Sequence, residues 1–133
     1  MTIPPKTTPE VPTSWGELID KITILEIKVE RLESEAARAN AAKELRLLRE
    51  IAGPILAREQ TAGLVERLKK LNQALWEIED RIREHERAGT FDAVFIELAR
   101  SVYKTNDERG AVKRELNLAL ASGRIEEKSY KPY

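Results

Sequence analysis

Two pairs of carboxylates sit at helical i,i+3 spacing, Glu17 with Asp20 and Glu77 with Asp80. On a helix each pair shares one face. Pairs of this kind on facing helices can hold magnesium, a hard cation that takes oxygen ligands, as in all-helical phosphohydrolases. Four cations, Lys21, Lys28, Arg109 and Lys113, could clamp a small dicarboxylate between the first and last helices. The plainer reading of both sets is a solvated face, with Lys and Arg stems lying over apolar neighbours. His85 is the only histidine and stands between Glu84 and Glu86, which suits an exposed imidazole of raised basicity better than a ligand. No catalytic residue and no metal set is therefore expected, with Glu17, Asp20, Glu77 and Asp80 as the metal-binding alternative.

A second set is polar where the pattern calls for apolar residues. Tyr103, Thr105, Asn106, Asp107 and Arg109 interrupt a stripe that resumes at Val112. Laid side by side, the helices bring Asn40, Asn72 and Thr105-Asn106 to nearly one level. A buried amide layer there would fix register at a cost in stability, or it would line a small polar pocket. Thr, Asn and Asp are mediocre helix formers, so Asn106 or Asp107 could instead cap a break between two shorter helices. Trp76 lies one residue off the leucine seam, at a core edge or as an interface anchor. The candidate binding residues are Asn72, Trp76, Tyr103, Asn106, Asp107 and Arg109.

The composition limits what such residues can do. The chain has 133 residues with 23 Lys+Arg against 23 Asp+Glu, and no cysteine. Balanced charge argues against a nucleic-acid partner, and the lack of cysteine excludes disulfides and thiolate metal sites. No apolar run approaches the length of a membrane span. These features point to a cytoplasmic protein without a cofactor.

The elements that must position these residues are helices. Residues 1–13 hold four of the six prolines and read as a disordered leader. Ser14-Trp15-Gly16-Glu17 matches a capping box, the glutamate reaching back to the serine amide. From there Leu18, Ile22, Leu25, Val29 and Leu32 repeat at helical spacing, and Ile19, Ile24 and Ile27 widen the face. The pattern predicts one helix over about 15–51, ended by Gly53-Pro54, with the alternative that Ser34 caps a second helix. Leu64, Leu68, Leu71, Leu75, Ile78 and Ile82 form a heptad seam over 62–87. A last helix over about 91–121 follows Gly89-Thr90 and is stopped by Gly123. The domain plan is thus a leader (1–13), a helical domain (14–123) and a C-terminal tail (124–133) in which tyrosines could anchor. The fold class is all-α: a long antiparallel bundle with coiled-coil-like packing, of three helices, or four if the first breaks near Ser34. With three helices, residues 15–25 overhang their intrachain partners by roughly 16 Å. A homodimer interface through Leu18, Ile19, Ile22 and Leu25 would cover them.

Three blocks carry a family resemblance: Gly16 to Lys28 (GELIDKITILEIK), Leu75 to Asp80 (LWEIED), and Phe95 to Arg109 with Val112 to Asn117. Together they resemble a family of small bacterial helical proteins of unknown function, over most of residues 14–130. The resemblance implies no particular chemistry, and it draws attention to Tyr103, Thr105, Asn106, Asp107 and Arg109. The functional expectation is a non-enzymatic, oligomeric adaptor or scaffold that binds itself or another protein. The alternative is a small all-α enzyme or ligand-binding protein that uses helix-borne carboxylates with Lys and Arg, in the manner of an acidic metal-dependent phosphohydrolase.

Overall fold

A computed structural model describes residues 8–120 and 131–132. Every regular element among them is helical: α1 (Trp15–Arg31), α2 (Glu35–Ala52), a 3-10 turn (Gly53–Ala57), α3 (Glu59–Ala88) and α4 (Ala93–Ala119). Most of the expected leader (residues 1–7) and the Gly123 stop lie outside the described residues, as does the tail with its tyrosines apart from residues 131–132.

The first helix is not continuous. Leu32 leaves it in extended backbone, and Ser34 caps α2 by accepting from the Ala37 amide at 3.2 Å. The Arg38 guanidinium donates to the carbonyls of Leu32 (2.7 Å) and Glu33 (3.0 Å), so the reversal satisfies acceptors that a helix end leaves open. The alternative with a break near Ser34 replaces the three-helix expectation. A serine competes locally with helix continuation, and the alanine-rich start of α2 lets its backbone close on α1.

That reversal removes the overhang. Ile22 and Leu25 are buried against Ala41, Leu45 and Ala52, with Leu18 packed on the same cluster. Ile19 is buried against Leu68, Val112 and Leu116. The residues assigned to a dimer interface, Leu18, Ile19, Ile22 and Leu25, are thus occupied within one chain. Each buried Ile or Leu contributes about 1.5–3 kcal/mol, and no second copy is needed to cover α1.

Charged and polar pairs bridge the neighbouring helices. Lys21 meets Glu44 at 2.9 Å across α1 and α2, and Arg67 meets Glu115 at 3.3 Å across α3 and α4. Between α1 and α3, Asn72 meets Asp20, Lys69 meets Glu30 and Glu77 meets Arg31. Gly89, at φ 66°, closes α3 in left-handed backbone, and Asp92 caps α4 by accepting from the Phe95 amide at 3.0 Å. α4 then runs unbroken through residues 103–109, so neither Asn106 nor Asp107 caps a break.

The two apolar clusters contain no residue between 72 and 111. From Glu79 to Lys104 only Leu98 is buried. The ends of α3 and α4 nearest their connection therefore form a two-helix arm that packs chiefly on itself. Phe91 rests edge-on against Phe95, with ring centroids 5.1 Å apart.

Candidate functional site

The α1–α4 contact is a ladder of polar pairs. Its first rung is the Gly16 amide donating to Asn117 Oδ1 at 2.7 Å. A β-carbon on Gly16 would stand 2.5 Å from the Lys113 carbonyl oxygen, so only glycine permits this approach. The second rung is Lys113 Nζ donating to Glu17 Oε2 at 2.8 Å. Glu17 is therefore turned to α4 instead of back to the serine. The half of the capping box that remains is the Ser14 hydroxyl accepting from the Glu17 amide at 3.2 Å.

The third rung joins three helices. Asp20, 2% exposed, accepts from Arg109 in bidentate fashion, Nε donating to Oδ1 at 2.9 Å and Nη2 to Oδ2. Asn72 on α3 adds a third donor, its Nδ2 lying 2.9 Å from Asp20 Oδ1 and 2.9 Å from Thr23 Oγ1. Thr23 in turn donates to the Asp20 carbonyl at 2.8 Å. Both Asn72 amide hydrogens are spent on oxygens that need donors, which fixes the orientation of the amide. Charge-assisted bonds of this geometry are the strong ones, and their loss would strand buried polar groups.

The helix spacings explain the match. Acids at 17 and 20 face bases at 113 and 109, so rising numbers on α1 meet falling numbers on α4. By sequence alone the two sets read most plainly as solvated faces, with separate metal and anion sites as the alternatives. Their complementary order on oppositely directed helices was the available signal. Gly16, Thr23 and Asn117 carried no comparable signal, because only the close approach gives them partners.

The remaining expected residues fall in different places. Asn106 accepts from Arg109 Nη1 at 3.4 Å, at the edge of the third rung, while Asn40 and Asp107 are exposed, so Asn40 does not join an amide layer. Tyr103 is exposed beside Arg100, whose guanidinium is held above its usual pKa first by the Tyr103 side chain and then by Glu97. Glu77 pairs with Arg31 at 3.1 Å, and Lys21 pairs with Glu44 on the far side of α1. His85 is half-buried, its Nδ1 2.9 Å from the Arg81 carbonyl and its Nε2 3.7 Å from Asp92. Its partners are therefore not Glu84 and Glu86. Among the described residues no three acidic or histidine side chains converge where a metal could bind. No helix there is long and apolar enough to cross a membrane.

Asn72, Trp76 and Arg109 do come together, in an open cleft of about 580 Å³ at the base of the arm. Ile24 and Ile27 of α1 form one wall, and Leu75, Trp76, Glu79, Asp80 and Arg83 of α3 form the other. Trp76 and Asp80 are i,i+4 neighbours on one helix face, and Glu79 and Arg83 pair at 3.8 Å. The cleft can offer an apolar wall, an aromatic face and a few polar atoms. Asp20 lies behind this lining, its two carboxylate oxygens taken up by Arg109 and Asn72.

No curated protein and no solved structure matches the chain at a significant level. The family resemblance seen in the sequence does hold. All residues of the ladder and the cleft lie within residues 10–132, the stretch matched by the model for the Family of unknown function (DUF6165), and the chain belongs to that family.

Proposed function

We propose that this protein is a cytoplasmic, non-enzymatic adaptor that binds a protein partner through the α3–α4 arm and the cleft at its base. The observation that carries this reading is how the charges are used. The acids and bases of the α1–α4 contact, from which a helical hydrolase would build its site, neutralise one another, Asp20 with Arg109 inside the fold and the half-exposed Glu17 with Lys113. A catalytic site needs convergent ionisable groups that are available to substrate.

The apolar surface supports the same reading. Phe91, Val94 and Ile96 are exposed near the arm's tip, at 57%, 46% and 56%. Leu47, Ile51 and Leu118 are as exposed elsewhere, but three such residues within six positions at the arm's tip suit a contact surface. The ladder then acts as a register lock that holds α4, and with it the arm, at one angle to α1.

Affinity capture from the native host tests this, comparing the wild-type chain with Val94→Lys/Ile96→Lys. A protein retained by the first and lost by the folded second supports the adaptor. Recovery of the same proteins by both, or of the bait alone, would overturn it.

A further inference from the structure

The cleft has a chemistry that its fold does not require. Four ionised side chains line it: Glu79, Asp80, Arg83 and Arg109. Arg109 is neutralised by Asp20, and Arg83 by Glu79 at 3.8 Å. The carboxylate of Asp80 is left as the uncompensated charge. It projects from the same face of α3 as Trp76, whose ring is partly exposed.

The floor adds a second acceptor. Asn72 is 6% exposed and lines the cleft. Its Nδ2 is fully used toward Asp20 and Thr23, which leaves Oδ1 as the atom it can offer the cleft. The cleft therefore presents acceptors, one net negative charge, an aromatic face and the apolar wall of Ile24, Ile27 and Leu75. An alkyl chain ending in a hydrogen-bond-donating cation satisfies all four at once: the stem packs on the wall, the head lies over the indole, and its N–H groups reach Asp80 and Asn72.

We propose that this cleft receives an arginine or lysine side chain from a basic segment of the partner protein. This rests on the adaptor reading above and names what the base of the arm recognises. A peptide source fits the open shape, since a segment crossing the cleft can also touch the arm. A guanidinium matches best, because its planar fork offers several donors.

The test is an amide and indole chemical-shift titration of the 15.2 kDa chain with an acetylated, amidated Leu-Arg-Leu peptide. The controls are the same peptide with glutamine in place of arginine, agmatine, and succinate. Saturable shifts are expected at residues 72–83 and the Trp76 indole with the arginine peptide, and none with the glutamine peptide. Asp80→Asn should weaken binding about two- to fivefold, as the loss of a solvent-exposed charge pair would. Asp80 is exposed, and an unchanged spectrum elsewhere confirms the fold. Equal shifts with the glutamine peptide would overturn cation recognition. Succinate filling the same amides would make this an anion site on Arg83 and Arg109. Agmatine binding more tightly than the peptide would make it a small-molecule site, which also overturns the proposal. An absence of shifts with the arginine peptide would overturn the proposal, and because the titration uses no host partner the adaptor reading would still be judged by the capture experiment.

Discussion

Replacing Asp20 by leucine strikes the rung on which three helices meet. The carboxylate accepts from Arg109 twice and from Asn72 once. Removing it leaves a guanidinium facing an apolar side chain and an amide that loses one acceptor. Breaking a buried pair from one side costs about 3–5 kcal/mol. The Arg109 side chain is 23% exposed and recovers some hydration, which brings the expectation down to about 2–4 kcal/mol. For a chain of this size, that range corresponds to a fall in Tm of roughly 6–16 °C. The informative comparison is the double variant Asp20→Leu/Arg109→Met, in which neither charge is stranded. Apolar replacements of whole pairs are often near neutral, so the double variant should recover most of the loss. Urea unfolding of the wild type, both single variants and the double would give the coupling directly. A loss below about 1 kcal/mol for Asp20→Leu would reduce the rung to an ordinary surface pair. A double variant as unstable as the sum of the singles would show that the two residues do not act together, and the register-lock reasoning would fail.

Gly16→Ala should destabilise by about 1–3 kcal/mol through overpacking against the Lys113 carbonyl, although alanine is the better helix former; a gain in Tm would show that α1 and α4 are not so close. Ser34→Ala should cost about 1 kcal/mol through the lost cap, and adding Arg38→Ala should increase the loss by exposing the Leu32 and Glu33 carbonyls; hydrogen exchange at the start of α2 reads both. Val94→Lys/Ile96→Lys should leave the unfolding midpoint within about 0.5 kcal/mol of wild type, since both positions are exposed. Light scattering of the wild-type chain should give the 15.2 kDa monomer mass, because Ile19, Ile22 and Leu25 are covered within the chain; a stable dimer would mean that another surface pairs.

Much of the fold can be read along the chain because its signals are local. The Ser14 cap, the Gly53-Pro54 stop, the leucine seam of α3 and the Gly89 turn each act within about one helical turn. The break at Leu32–Ser34 is also local, but the alanines that follow have such high helix propensity that the pattern favours a continuous helix. The choice was made by burial: an unbroken helix leaves Ile19 and Ile22 without cover, and a reversal covers them.

The candidate site was legible only in its parts. Asn72, Trp76 and Arg109 were singled out and do share a cleft, but Tyr103 and Asp107 face away from it, because an uninterrupted α4 turns its successive polar residues to different sides. Composition, spacing and caps determined that this chain is helical, where most of its helices begin and end, and which face of each is apolar. Those features depend on neighbours within a few residues. Which carboxylate meets which cation was decided by the tertiary structure alone. A charge pair forms only when two helices approach at a particular height and direction. Gly16 sets that approach for α1 and α4, turning what looked like the ligands of a metal into the lock that holds two helices in register.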